Sequence, residues 1–159
     1  MLIVSDASPI IALAVCNKLD LLDKLFDRIC IPMAVYEELA IPDKPKAGDI
    51  IAWSRDKVIH VKNPSVITAL SMNLDAGESE ALALYWETEA DFLLIDEKRG
   101  RIIALRNGIK TIGTAGILLL SKQKGFITSI KPLLELLTNH GFRISDILYQ
   151  HILERAGEL

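Results

Sequence analysis

The sequence is poor in cysteine and histidine and has no long apolar run. Its 159 residues include two cysteines, Cys16 and Cys30, each inside an apolar stretch. That placement reads as two small buried hydrophobes rather than a disulfide, and it leads us to expect a reducing, cytoplasmic setting. The three histidines, His60, His140 and His151, show no ligand spacing, which argues against a zinc centre. No apolar run approaches the ~20 residues needed to span a bilayer. The chain opens directly into Leu2-Ile3-Val4 with neither a basic region nor a cleavage site, so a soluble protein with no membrane association is expected. Repeats and low-complexity tracts are absent. With 50% hydrophobic and 25% charged residues the chain is an ordinary globular one, long enough to bury a core without staples.

The net charge is −3, from 18 basic and 21 acidic side chains, but the charges are unevenly spread. Between Glu97 and Lys131 stand eight basic residues, Lys98, Arg99, Arg101, Arg106, Lys110, Lys122, Lys124 and Lys131, against Glu97 as the single acid. Such a segment sets up a local positive field suited to phosphates. It is equally readable as the solvated outer faces of two helices.

The element pattern alternates. Leu2 to Ser5 reads as a short strand ending on Asp6, followed by a helix opened by Ser8-Pro9. Ile29 to Ile31 is a second strand, and Pro32 begins a helix that stops before Pro42. Ala47 to Arg55 is expected as helix and Val58 to Val61 as strand, with Asn63-Pro64 breaking the pattern. Gly77 to Glu89 is a helix with Asp75 as its cap and Glu78 three residues on, as in a capping box. Phe92 to Ile95 is a central strand, Lys98 to Asn107 a helix ended by Gly108, Lys110 to Ile112 a strand, and Ala115 to Lys124 a helix. Two more helices, Ile130 to Asn139 and Ser145 to Ala156, close the chain. The last carries Ile147, Leu148, His151 and Ile152 as an apolar stripe, and together with a mean hydropathy of +0.30 this leads us to expect self-association, as a dimer. Strands alternating with helices imply an α/β fold, a three-layer sandwich around a parallel sheet, here in one domain over 1–159 with 126–159 as a helical extension.

In an open parallel sheet, ligands bind outside the carboxyl ends of the strands. Asp6 and Asp96 both sit at such ends, and Glu78 and Glu38 lie on helices that can project toward the same crevice. Four carboxylates close together resist ionisation unless a cation compensates them, and oxygen-only donors suit Mg²⁺ or Mn²⁺. Setting those four acids aside leaves 18 basic against 17 acidic side chains, so the negative net charge does not exclude a nucleic-acid partner. Each acid also has an ordinary structural explanation. Asp6 and Asp96 are each placed to cap a following helix, Glu78 belongs to the capping box, and Glu38 beside Glu37 is an unexceptional solvated position.

With those positions laid out, the sequence resembles the PIN-domain family, in particular its short prokaryotic members. The resemblance is carried by Val4-Ser5-Asp6-Ala7-Ser8-Pro9, Ile31-Pro32 through Val35-Tyr36-Glu37-Glu38-Leu39, Leu74-Asp75-Ala76-Gly77-Glu78-Ser79-Glu80, and Leu94-Ile95-Asp96-Glu97 with Arg101. It continues through Ile112-Gly113-Thr114-Ala115-Gly116 to Ser145-Asp146 and Ala156-Gly157-Glu158. What it implies is a metal-dependent endoribonuclease whose acids fall on Asp6, Glu38, Glu78 and Asp96, with Ser8, Glu97 and Thr114 as supporting polar residues. The basic stretch supplies Lys98, Arg99, Arg101, Lys122 and Lys124 as expected contacts to RNA phosphates. Many short members are toxins neutralised by a small antitoxin protein, so the resemblance raises that partner too. Glutamate at 78, where many members have aspartate, and Glu97, where a second aspartate is frequent, depart from the family pattern. The alternative is a member that keeps the fold and binds RNA or protein without cutting. A receiver domain is disfavoured because alanine follows Asp6 and Gly113-Thr114 follow Ile112, and a dehalogenase-like phosphatase because Ser8 stands where a second aspartate is needed.

Overall fold

The computed structural model describes residues 1–159. Five short strands, β1 (Leu2–Ser5), β2 (Arg28–Pro32), β3 (Val58–Ile59), β4 (Phe92–Leu94) and β5 (Thr111–Ile112), form one sheet in the order β3-β2-β1-β4-β5, parallel throughout. Ten helices connect and cover them: α1 (Ala7–Val15), α2 (Asp20–Leu25), α3 (Met33–Leu39), α4 (Ala47–Ser54), α5 (Pro64–Leu70), α6 (Ala76–Glu87), α7 (Lys98–Arg106), α8 (Thr114–Gln123), α9 (Lys131–Asn139) and α10 (Asp146–Ala156).

Pleating explains why strands this short suffice. Successive side chains point to opposite faces, so Ile3, Ile29, Ile31 and Leu94 enter one core with α1, α2, α8, α9 and α10. Val4, Cys30, Leu93 and Ile95 enter the other, with α6 and α7. A central strand buried on both sides must be apolar at nearly every position, and β1 and β4 are. Cys16 and Cys30 are buried and free, as two small core residues.

Strand order fixes where a ligand can sit. From β1 the chain runs outward through β2 and β3, then returns to the other side of β1 with β4 and β5. The reversal lies between β1 and β4, where Ser5 pairs with Leu94 and the Asp6 N–H donates to the Leu94 carbonyl at 2.9 Å. That is the switch point at which a crevice opens above the strand ends, and Asp6 and Asp96 flank it.

The structure departs from the sequence reading at several points. The helix after β1 begins at Ala7 with Asp6 in the capping position, so Ser8 is not its cap. Helix α2 was not expected, because six residues with Leu21 and Leu22 buried are too few to show a period. Asn63-Pro64 opens a helix instead of breaking one: the Asn63 side chain accepts from the Ser65 N–H at 3.1 Å and Pro64 occupies the first turn of α5. On α10 the expected apolar stripe is divided. Ile152 is buried with Leu153 in the core, whereas Ile147 is 85% exposed on another face.

Candidate active site

Asp6 follows the last residue of β1, the central strand, and is 6% exposed. Although it occupies the N-cap of α1, its side chain makes no capping hydrogen bond. Burial pushes its carboxyl up to about 7, and the neighbouring Glu78, Asp75 and Glu38 carboxylates push the same way, against the Ala7 backbone N–H. Asp6 thus stands at the cap position of α1 without the side-chain bond that would make capping its whole role.

Glu78 is 8% exposed and does take part in a capping box on α6. Its carboxylate accepts from the Asp75 N–H at 3.1 Å, and the Asp75 carboxylate accepts from the Glu78 N–H at 2.8 Å. One oxygen remains directed elsewhere: Oε1 faces Gly100, 3.5 Å from where a Cβ would lie. Burial raises this carboxyl also, with Asp75 and Glu97 adding to the effect and the Asp75 backbone N–H and Arg99 opposing it. The capping box thus uses one carboxylate oxygen and leaves the other directed toward α7.

Glu38 reaches the site from α3. A Cβ at Gly77 would be in van der Waals contact with both Glu38 Oε2, at 3.4 Å, and Asp6 Oδ1, at 3.6 Å, so the two carboxylates border the same point. Helix α3 is held in place from α6, where the Glu80 carboxylate accepts from the Ala34 N–H at 2.6 Å.

Asp96 does not cap the helix that follows it. Glu97 does, accepting from the Gly100 N–H at 2.8 Å. Both Asp96 oxygens are held by Thr114: Oδ1 accepts from the backbone N–H at 2.7 Å and Oδ2 from the hydroxyl at 2.5 Å. Gly113 permits this approach, since a Cβ there would come within 2.8 Å of Asp96 Oδ1, with Arg101 Nη1 at 3.5 Å.

The structure thus brings Asp6, Glu38 and Glu78 within one another's electrostatic reach, with Asp75 as a fourth acid that the sequence reading treated only as a cap. Asp96 is engaged by Thr114. No three of these carboxylates, nor any other His, Cys, Asp or Glu, are drawn together as a ready-made ligand group. Their chemistry still fits a hard cation: the donors are all oxygen, Asp6 is buried without a side-chain cap, and the cradle over Gly77 is lined by two carboxylate oxygens.

The basic residues divide. Lys98 and Arg99 join Arg106 along a groove that borders Glu97. Arg101 lines a second groove, which contains Asp96, Glu97, Thr114 and Ser8. Lys122 lies near the far end of α8 from Thr114, where its ammonium is tied to the Ala156 carbonyl at 2.7 Å and to Glu158 at 2.6 Å. Lys124 follows the same end, exposed. The second groove also carries Arg143 and Arg155 from the C-terminal segment, which were not among the expected site residues. The only signal available for Arg155 was its helical spacing from Leu148, His151 and Ile152.

Comparison with known proteins gives one family. The model of DUF3368, described as a PIN domain, matches residues 2–158. No curated protein matches the chain.

Proposed function

The chain belongs to the PIN-domain family, a nuclease-type fold, and on that premise we propose that it is a metal-dependent endoribonuclease acting at the β1/β4 crevice. The observation that carries this reading is Asp6: a buried carboxylate at the switch point, uncapped, with Glu38 and Glu78 beside it. Placing mutually repelling acids where burial disfavours their charged forms costs stability, and a fold retains that cost where function needs the charge.

Asp6, Glu38, Glu78 and Asp96 are the residues that would hold Mg²⁺ or Mn²⁺. A bound divalent cation would supply Lewis acidity toward a phosphodiester and lower the pKa of water. The remaining roles belong to the chain. Thr114 fixes the direction of Asp96, the capping box fixes Glu78, and Arg101 sets a guanidinium beside Asp96 where a phosphate entering the crevice meets a fork of donors. Lys98, Arg99 and Arg106 provide positive charge along the adjoining groove.

The test is cleavage of mixed single-stranded and hairpin RNAs by native and Asp6→Asn protein with Mg²⁺, Mn²⁺ or EDTA. Cleavage that requires metal and falls by on the order of a hundredfold or more in the variant is the expected result. Cleavage indifferent to EDTA, or equal in both proteins, would overturn the reading. A second reading, a member that binds RNA or protein without cutting, is favoured by one observation: no three carboxylates stand as a preformed ligand group. Saturable RNA binding with no hydrolysis under any metal would decide for it.

A further inference from the structure

Between α8 and the α9–α10 hairpin runs a cavity of about 570 Å³ whose lining reaches Ser8, Asp96 and Thr114. Helix α10 presents Leu148, His151, Ile152 and Arg155 to it, at i, i+3, i+4 and i+7, so one stripe of that helix forms a wall. Phe142 and Arg143 come from the hairpin and Arg101 from α7.

The groove carries two acids, Asp96 and Glu97, with Arg101 beside Asp96, and two further arginines, Arg143 and Arg155, from the C-terminal segment. None of its three arginines takes part in an ion pair within the chain, and all three are exposed. Free guanidinium forks match phosphate oxygens two at a time. The same groove is lined by Phe142, Ile144 and Leu148, an apolar wall of the kind on which an unpaired base lies flat. The volume falls in the range of roughly 300–1,000 Å³ that suits a small organic ligand. A paired base in a duplex has both faces stacked and its edge occupied, and is not available to such a wall.

We propose that this groove is a subsite for one unpaired nucleotide adjoining the scissile phosphate, with its base against Phe142 and Leu148 and its phosphates on Arg143 and Arg155. The inference rests on the nuclease reading and adds to it a place, the groove walled by the C-terminal helices.

The experiment measures binding rather than cleavage. Native full-length protein and Arg143→Ala/Arg155→Ala are titrated in EDTA with a fluorescent, non-cleavable 2′-O-methyl RNA oligonucleotide, single-stranded or annealed into a blunt duplex, across a series of salt concentrations. Affinity for the single strand should fall at least tenfold in the double variant. The slope of log affinity against log salt should drop by about 1.4, since each single-strand phosphate contact contributes ~0.7. Arg143→Lys/Arg155→Lys should keep the slope and lose part of the affinity, which also guards against a folding defect. The duplex should bind weakly and equally to all three proteins. Equal single-strand affinity and slope in native and Ala proteins would overturn the subsite while leaving the nuclease reading in place, and would favour an acidic protein segment as the occupant. Failure of native protein to bind either RNA would overturn the subsite, the nuclease reading being decided by the cleavage assay with metal.

Discussion

Thr114 holds both oxygens of Asp96, one through its backbone N–H at 2.7 Å and the other through its hydroxyl at 2.5 Å. The residue that opens α8 therefore decides the direction of a carboxylate at the end of β4, 18 positions earlier. Thr114→Val keeps the shape and the N–H bond and removes the hydroxyl. We expect kcat to fall about tenfold and stability to fall by about 1.5–3 kcal/mol, the usual loss for a hydrogen bond to a charged group. Thr114→Ser should restore most of both. Steady-state kinetics and denaturant titration of the two variants check this, and an unchanged kcat in the valine protein would remove Thr114 from the site.

Glu78 combines a cap with a charge, and glutamine separates them. Glu78→Gln retains an oxygen for the Asp75 N–H and removes a charge that burial disfavours, so unfolding free energy at neutral pH should hold or rise, while activity falls on the order of a hundredfold. Glu78→Ala should lose the same activity and in addition about 1 kcal/mol of stability. Equal activity in native and glutamine proteins would leave the residue only its structural role.

Asp6 gives a pH-dependent signature in metal-free protein. Its carboxyl titrates at about 7 in the fold against an ordinary 3.8, so above pH ~4 the folded state is increasingly penalised for holding a charge there, and the penalty is complete above pH ~7. Asp6→Asn removes it. In EDTA the variant should match native stability near pH 3.5 and exceed it by up to ~4 kcal/mol at pH 8. Thermal melts across that interval are the measurement, and a variant less stable than native at pH 8 would contradict the assignment.

Glu158 predicts the opposite slope. Its carboxylate accepts from Lys122, Ser129 and the Ile130 and Lys131 N–H groups, and these partners, opposed by burial, lower its pKa to about 2. A depressed carboxylate stabilises the fold fully above its ordinary pKa of 4.5 and loses that contribution as pH falls toward 2. Glu158→Gln should cost about 1–3 kcal/mol at pH 7 and progressively less below pH 4.5. Because Lys122 is committed to this latch, Lys122→Ala should alter stability more than RNA affinity.

Much of the architecture was legible in the residues. Apolar runs such as Leu2 to Ser5 and Phe92 to Ile95, the Asp75–Glu78 box and Gly108 at φ +73° marked strands, helix starts and a helix stop that the structure repeats, with β4 ending one residue earlier, at Leu94. The misses have local causes. Helix α2 is too short for a period, and Asn-Pro before α5 is the same signal for a turn and for a helix cap.

The sequence by itself determined the parallel α/β sandwich and the positions of the acids at strand ends, because pleat and helix periods write burial directly into residue order. It could not decide what those acids do. Whether Asp6 caps or stands free, whether Asp96 turns to its own helix or to Thr114, and which cations share a groove with it depend on which strands become neighbours. The β1–β4 pairing sets Asp6 beside the end of β4, and the packing of α10 against α8 sets Arg155 along a groove that opens on Asp96. Those are contacts between residues far apart in the chain. Burial and Coulomb interactions act through space, so only the tertiary structure selected which carboxylates and which arginines meet.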